Sequence, residues 1–99
     1  MAATRPVAAD CLRLKPQEIP LDHENSHFTF QRPFVATRGA IATFGAETLF
    51  ALLTRLQDRA RQHAGLDYLQ VFENLEQGGS DLWFIEDAVA VTALLPEDY

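Results

Sequence analysis

Leu49, Leu52, Leu53, Leu56 and Ala60 recur at steps of three and four residues between Ala46 and Ala64. A helix turns once in about 3.6 residues, so this spacing gathers them into one apolar stripe. Glu47, Thr54, Arg55, Asp58, Arg59, Arg61 and Gln62 fall on the other face. Such a helix gains most of its stability by laying the stripe on another apolar layer. Its ends agree with the assignment. Glu47 stands in the first turn, and Arg59, Arg61 and His63 stand near the last, where the helix dipole favours each sign. Gly65 is the expected left-handed residue just past the end, and Phe44 is placed to staple the start.

The receiving layer reads as β-sheet. Tyr68 to Leu75, Leu82 to Glu86 and Val89 to Leu94 are rich in apolar and aromatic residues of strand length. Glu76-Gln77-Gly78-Gly79-Ser80 reads as a hairpin loop and Asp87-Ala88 as a tight turn. Links this short favour an antiparallel meander. Ahead of the helix, His27-Phe28-Thr29-Phe30 alternates polar and apolar residues, and Phe34-Val35-Ala36-Thr37 is β-prone. Pro33 interrupts the two, Gly39 reads as a bulge or turn, and Ile41-Ala42-Thr43 as an extension of the second strand. Pro6, Pro16 and Pro20 break any helix in residues 1–26, where Val7 to Leu14 reads as a short strand or a turn of helix.

The expected fold is therefore α+β. A partly irregular arm spans 1–26, and one domain spans 27–99. Its antiparallel sheet runs in ββαβββ order, with the main helix, about 46–64, packed on one face. A chain of 99 residues supports one core and not two.

One helix covers one face of a sheet only. In Leu82-Trp83-Phe84-Ile85 one alternate pair must turn to the uncovered side. Trp83 and Ile85 are the candidate hydrophobic contact; the N-terminal arm is one way to cover them and a homodimer, the favoured expectation, is the other.

Charge divides the chain. All eight basic residues lie at or before Arg61, against six acids there, for a net +2. From Gln62 onward there are eight acids and no base, for a net −8. Glu73, Glu76, Asp81, Glu86, Asp87, Glu97 and Asp98 are the candidate acidic face, expected to attract a basic protein partner. Carboxylates two apart on a strand lie about 6.6–6.8 Å from one another, near the repeat of a nucleic-acid backbone. That spacing raises an alternative: an inhibitor of phage or plasmid type that blocks a basic groove by mimicking nucleic acid. A further alternative is weak nucleic-acid binding through Arg55 and Arg59, which the acidic pI of about 4.8 disfavours.

Catalytic and metal signatures are missing. Cys11 stands alone among the cysteines, so it forms no internal disulfide, and no Gly-x-Ser-x-Gly elbow is present. His23 and His27 are four apart without a third ligand at a recognisable spacing. Isolated glycines near Arg38 and Gly45 make no phosphate loop. No enzyme activity, metal or cofactor is expected. With no secretory signal and no long apolar run, a cytoplasmic location is expected, away from membranes.

The helix followed by Leu66-Asp67-Tyr68-Leu69-Gln70-Val71-Phe72-Glu73 resembles a family of small bacterial proteins of unknown function, best known in Firmicutes. The similarity covers about residues 34–73, and the final stretch from Val91 to Tyr99 departs from the family's pattern. It implies a helix-to-strand unit and an accessory role, and it carries no catalytic residue across. The leading expectation is a non-enzymatic interaction or regulatory protein acting through its acidic C-terminal sheet.

Overall fold

A computed structural model describes residues 11–15 and 28–99. The elements are β1 (Leu12–Leu14), β2 (Phe34–Ala36), α1 (Arg38–Phe44), α2 (Ala46–His63), β3 (Leu69–Asn74), β4 (Leu82–Glu86) and β5 (Val91–Leu94), then a 3-10 turn at Pro96–Asp98. The five strands form one sheet in the order β1-β3-β4-β5-β2. Both helices pack on one side of it, which makes a two-layer α+β domain.

The leucine-rich stripe does what its spacing requires. Leu49, Leu52, Leu53, Leu56 and Ala60 are buried, and they meet Leu12, Phe72, Leu82, Phe84, Val91 and Ala93 from the sheet in a single core. Phe72 lies edge-on to Phe84 at 5.5 Å, and Phe34 stacks on Phe84 at 5.9 Å, so aromatic contacts run across β3, β4 and β2. The C-terminal meander is antiparallel throughout.

Four local expectations are corrected. Residues 38–44 form a helix, not a bulge and a strand extension. The Thr37 hydroxyl accepts the Ala40 N–H at 3.1 Å, and this cap starts α1, whose Ala40 and Phe44 enter the core one turn apart. Phe28 to Phe30 makes no strand. Phe28 forms an isolated bridge to Leu66, and Phe30 turns into the left-handed region with φ 59°. The sheet is mixed, because β2 runs parallel to β5, its chain returning through two helices and two strands. At the end of α2, Ala64 and not Gly65 adopts the left-handed helical conformation, φ 57° and ψ 38°. Gly65 follows at φ 112° and donates its N–H to Ala60 O at 2.7 Å.

Leu12–Leu14, in the segment read as an arm, is an edge strand of the sheet. The alternation Leu-Arg-Leu suits that position: Leu12 and Leu14 join the core, and Arg13 faces the other way to meet Glu73. His23 and His27 lie outside the described residues.

Candidate interaction surfaces

Strand β4 settles which alternate residues are covered. Leu82 and Phe84 are fully buried under the helices, and Trp83 and Ile85 point to the other side. Register extends that side across the sheet. Val71 is level with Trp83, and Trp83 with Leu94, while Leu69 is level with Ile85, Ile85 with Thr92, and Thr92 with Val35. None of these seven side chains carries a charge. Val35 is 48% exposed, Leu69, Val71, Trp83, Ile85 and Thr92 are half-buried, and Leu94 is buried; Tyr99 crosses Trp83 edge-on at 5.7 Å while itself 78% exposed. The acid on this face is Glu73, and Arg13 neutralises it at 2.6 Å. Among the described residues no helix covers this face.

The seven carboxylates of the expected acidic face separate into two groups. Glu73, Glu76, Asp81, Glu97 and Asp98 gather at the end of the sheet where the β3–β4 loop and the C-terminal turn lie. Glu86 and Asp87 stand at the opposite end of β4, about 13 Å away along the strand. Several are engaged within the chain. Asp81 accepts the Asn74 N–H at 2.9 Å. Asp98 accepts the Thr37 hydroxyl at 2.6 Å and the Leu95 N–H at 3.1 Å. Asp87 accepts the N–H groups of Val89 and Ala90 at 2.7 and 2.9 Å. Those two amides hold its carboxyl below the ordinary carboxylate value, with a smaller contribution from Arg32.

Glu86 is the exception to any solvent-facing role. It is 4% exposed and lies on the helix side of the sheet. One oxygen accepts the Phe30 N–H at 2.9 Å, and the other meets Arg32 Nε at 3.3 Å. Gln57 Nε2 donates to Phe30 O at 2.8 Å, so both backbone groups of this left-handed residue are satisfied by side chains. Alternation along β4 held the available signal: Glu86 shares the parity of Leu82 and Phe84.

Arg55 and Arg59 lie on the exposed side of α2, beside β1, the edge strand of the sheet among the described residues. They border a cleft of about 370 Å³ between α2 and β1, with Gln62 beside them and Leu12, Leu14 and Phe72 forming its apolar side. Asp58, also at the cleft, is paired with Arg61. Sequence spacing placed the two arginines on one helix face. The part played by β1 was not readable, since its pairing with β3 joins residues some sixty positions apart.

Cys11 is half-buried, and among the described residues no group of histidine, cysteine and carboxylate side chains is placed to hold a metal. No single helix among them is long and apolar enough to cross a membrane. No protein-family model matches the chain, and no significant similarity links it to a curated protein or a solved structure.

Proposed function

We propose that this chain is a non-enzymatic interaction module that pairs with a second copy of itself through the open face of its sheet. The observation that carries this is the run of uncharged side chains across that face, centred on Trp83 and Ile85. Covering apolar surface is favourable by about 25 cal/mol per Å². Five strands of three to six residues, about 10–20 Å long and about 4.8 Å apart, present roughly 340 Å² in projection. Two such faces give about 700 Å² in projection, to which the relief of their side chains and the flanking Tyr99 add, against about 1,200 Å² in total at the lower end of stable interfaces.

Charge favours a second copy over a basic partner at this face. The protein carries −6 overall, but none of it lies on the central strands' open side, and Glu73 is neutralised in place. Two copies therefore stack without bringing bare carboxylates together. A cationic protein would find nothing there to recognise. Its place is the acidic end of the sheet, where Glu76 and Glu97 are exposed; this second reading rests on the gathering of five acids there. Changing Glu76, Glu97 and Asp81 to their amides should then weaken capture of a basic host protein and flatten its salt dependence, without altering the dimer.

Sedimentation equilibrium over a range of concentrations tests the pairing. The wild type is expected to run as a dimer, and Ile85→Glu as a monomer with an unchanged far-UV spectrum. A wild type that stays monomeric at high concentration removes the reading.

A further inference from the structure

Strand β2 ends the sheet on the side away from β1. Val91 donates its N–H to Pro33 O, and Thr37 donates to Ala93 O, both at 2.9 Å. The odd-numbered residues of this run therefore bond to β5, and Phe34 and Ala36 turn their N–H and C=O groups the other way. Among the described residues nothing bonds to those four groups. The chain on both sides of β2 is engaged elsewhere. Ahead of it, Phe28 and Phe30 are held at Leu66 and Glu86, and after it Thr37 opens α1. An edge of this kind is a template for another strand.

The side chains around the edge are apolar on both faces. Val35 is exposed on the open side of the sheet. On the helix side Phe50 is 57% exposed, and its ring lies 5.4 Å from that of Phe34. A strand laid beside β2 sends alternate side chains over this aromatic pair. Charge selects what stands at its end. Arg32 and Arg38 are the charged residues from Phe28 to Ala46. Arg32 is turned to Glu86 and to Ala88 O. Arg38 is exposed at the C-terminal end of β2, and among the described residues it meets no carboxylate. A second copy fits this edge poorly: antiparallel pairing of β2 with β2 about Val35 would set Arg32 of each copy level with Arg38 of the other.

We propose that the β2 edge binds a short extended peptide of a partner protein by antiparallel strand addition, with apolar side chains over Phe34 and Phe50 and an acidic N-terminal residue at Arg38. The strand supplies backbone pairing, the two rings an apolar seat, and Arg38 the direction of docking. The edge shares only Val35 with the open face, so it acts whether or not two copies pair.

Fluorescence anisotropy with a labelled short peptide of alternating valine and threonine, begun by glutamate, tests this. Two companions complete the set: the same peptide begun by lysine, and the glutamate peptide N-methylated on the amides that would face β2. The glutamate peptide is expected to bind, and the lysine peptide to bind about fivefold more weakly. N-methylation should abolish binding although every side chain remains. Arg38→Glu should reverse the preference between the two charged peptides, a change that mere loss of structure would not produce. Phe50→Ser, on the exposed side of α2, should weaken binding by about tenfold while circular dichroism stays unchanged. Ile85→Glu, which tests the pairing of copies, should bind the peptide as the wild type does. No binding of the glutamate peptide would show an unused edge. Equal binding of the N-methylated peptide would show contact without strand addition, and loss of binding in Ile85→Glu a seat on the open face. Each of these three results overturns the proposal.

Discussion

The Glu86 carboxylate reaches across the core side of the sheet and accepts the backbone N–H of Phe30 at 2.9 Å. Phe30 is fully buried and has φ 59°, a conformation rare for a bulky residue. The acid and the ring thus depend on each other: the bond holds a strained loop in place, and the ring fills the core above it. Removing the carboxylate leaves a buried N–H without an acceptor. Glu86→Ala is expected to lower unfolding free energy by about 2–3 kcal/mol, and Glu86→Gln, which keeps an acceptor, by about 1 kcal/mol. Urea denaturation of the three proteins measures the difference, and equal stability of Glu86→Ala and wild type would contradict it.

Ala64 offers the opposite effect. Its left-handed conformation at the end of α2 crowds its Cβ against the backbone. Glycine adopts the same angles freely, and Ala64 is exposed, so no packing is lost. Ala64→Gly should stabilise the fold by about 1 kcal/mol, a rise in melting temperature of roughly 4–8 °C for a domain this size. A lower melting temperature would show that the C-cap is not strained.

Gly79 should tolerate no side chain. A Cβ there would stand 2.5 Å from the Asn74 side chain. That amide spans the β3–β4 loop, donating to Ser80 O at 3.0 Å and accepting the Glu76 N–H at 2.9 Å. Gly79→Ala is expected to be destabilising by about 1–3 kcal/mol, the usual range for overpacking. Gly78→Ala meets open space, but its φ of 75° carries a backbone penalty instead. Thermal melts of the two variants should show loss in both, and in Gly79→Ala a change in the amide signals of Glu76 that Gly78→Ala lacks.

Asp87 sets an acid dependence of the β4–β5 turn. Its folded carboxyl titrates below the ordinary value because two backbone amides favour the anion. Its contribution is fully present above the unfolded value, about 3.9, and is lost as pH falls through the lower folded value. Asp87→Asn should keep the turn and lose this titration. Comparing the two proteins between neutral pH and the acid limb, the wild type should lose more stability, and parallel curves would refute the assignment.

Much of this architecture was readable from the chain itself. The three-and-four spacing of leucines determined α2 and its buried face. The β-prone runs from Leu69 onward, separated by Gly78-Gly79 and by Asp87, determined the meander, because neighbours in sequence pair through short turns. The helix from Arg38 to Phe44 was hidden because Thr43 and Ile41 favour strands in isolation. Its cap and its packing against β5 override that weak preference.

The surfaces needed the tertiary structure more than the elements did. Sequence left open which of Leu82 and Trp83 faces the helices, since alternation has two phases and only the pairing register chooses between them. Charge counting grouped Glu86 with Asp87, but the chain reverses side at every residue of a strand, so one entered the core and the other the turn. The cleft beside Arg55 and Arg59 exists because β1 pairs with β3 across some sixty residues, and no local pattern encodes a contact of that range. Composition and periodicity act along the chain and determined its helix and meander; faces, clefts and buried charges arise between distant segments, where packing alone decides.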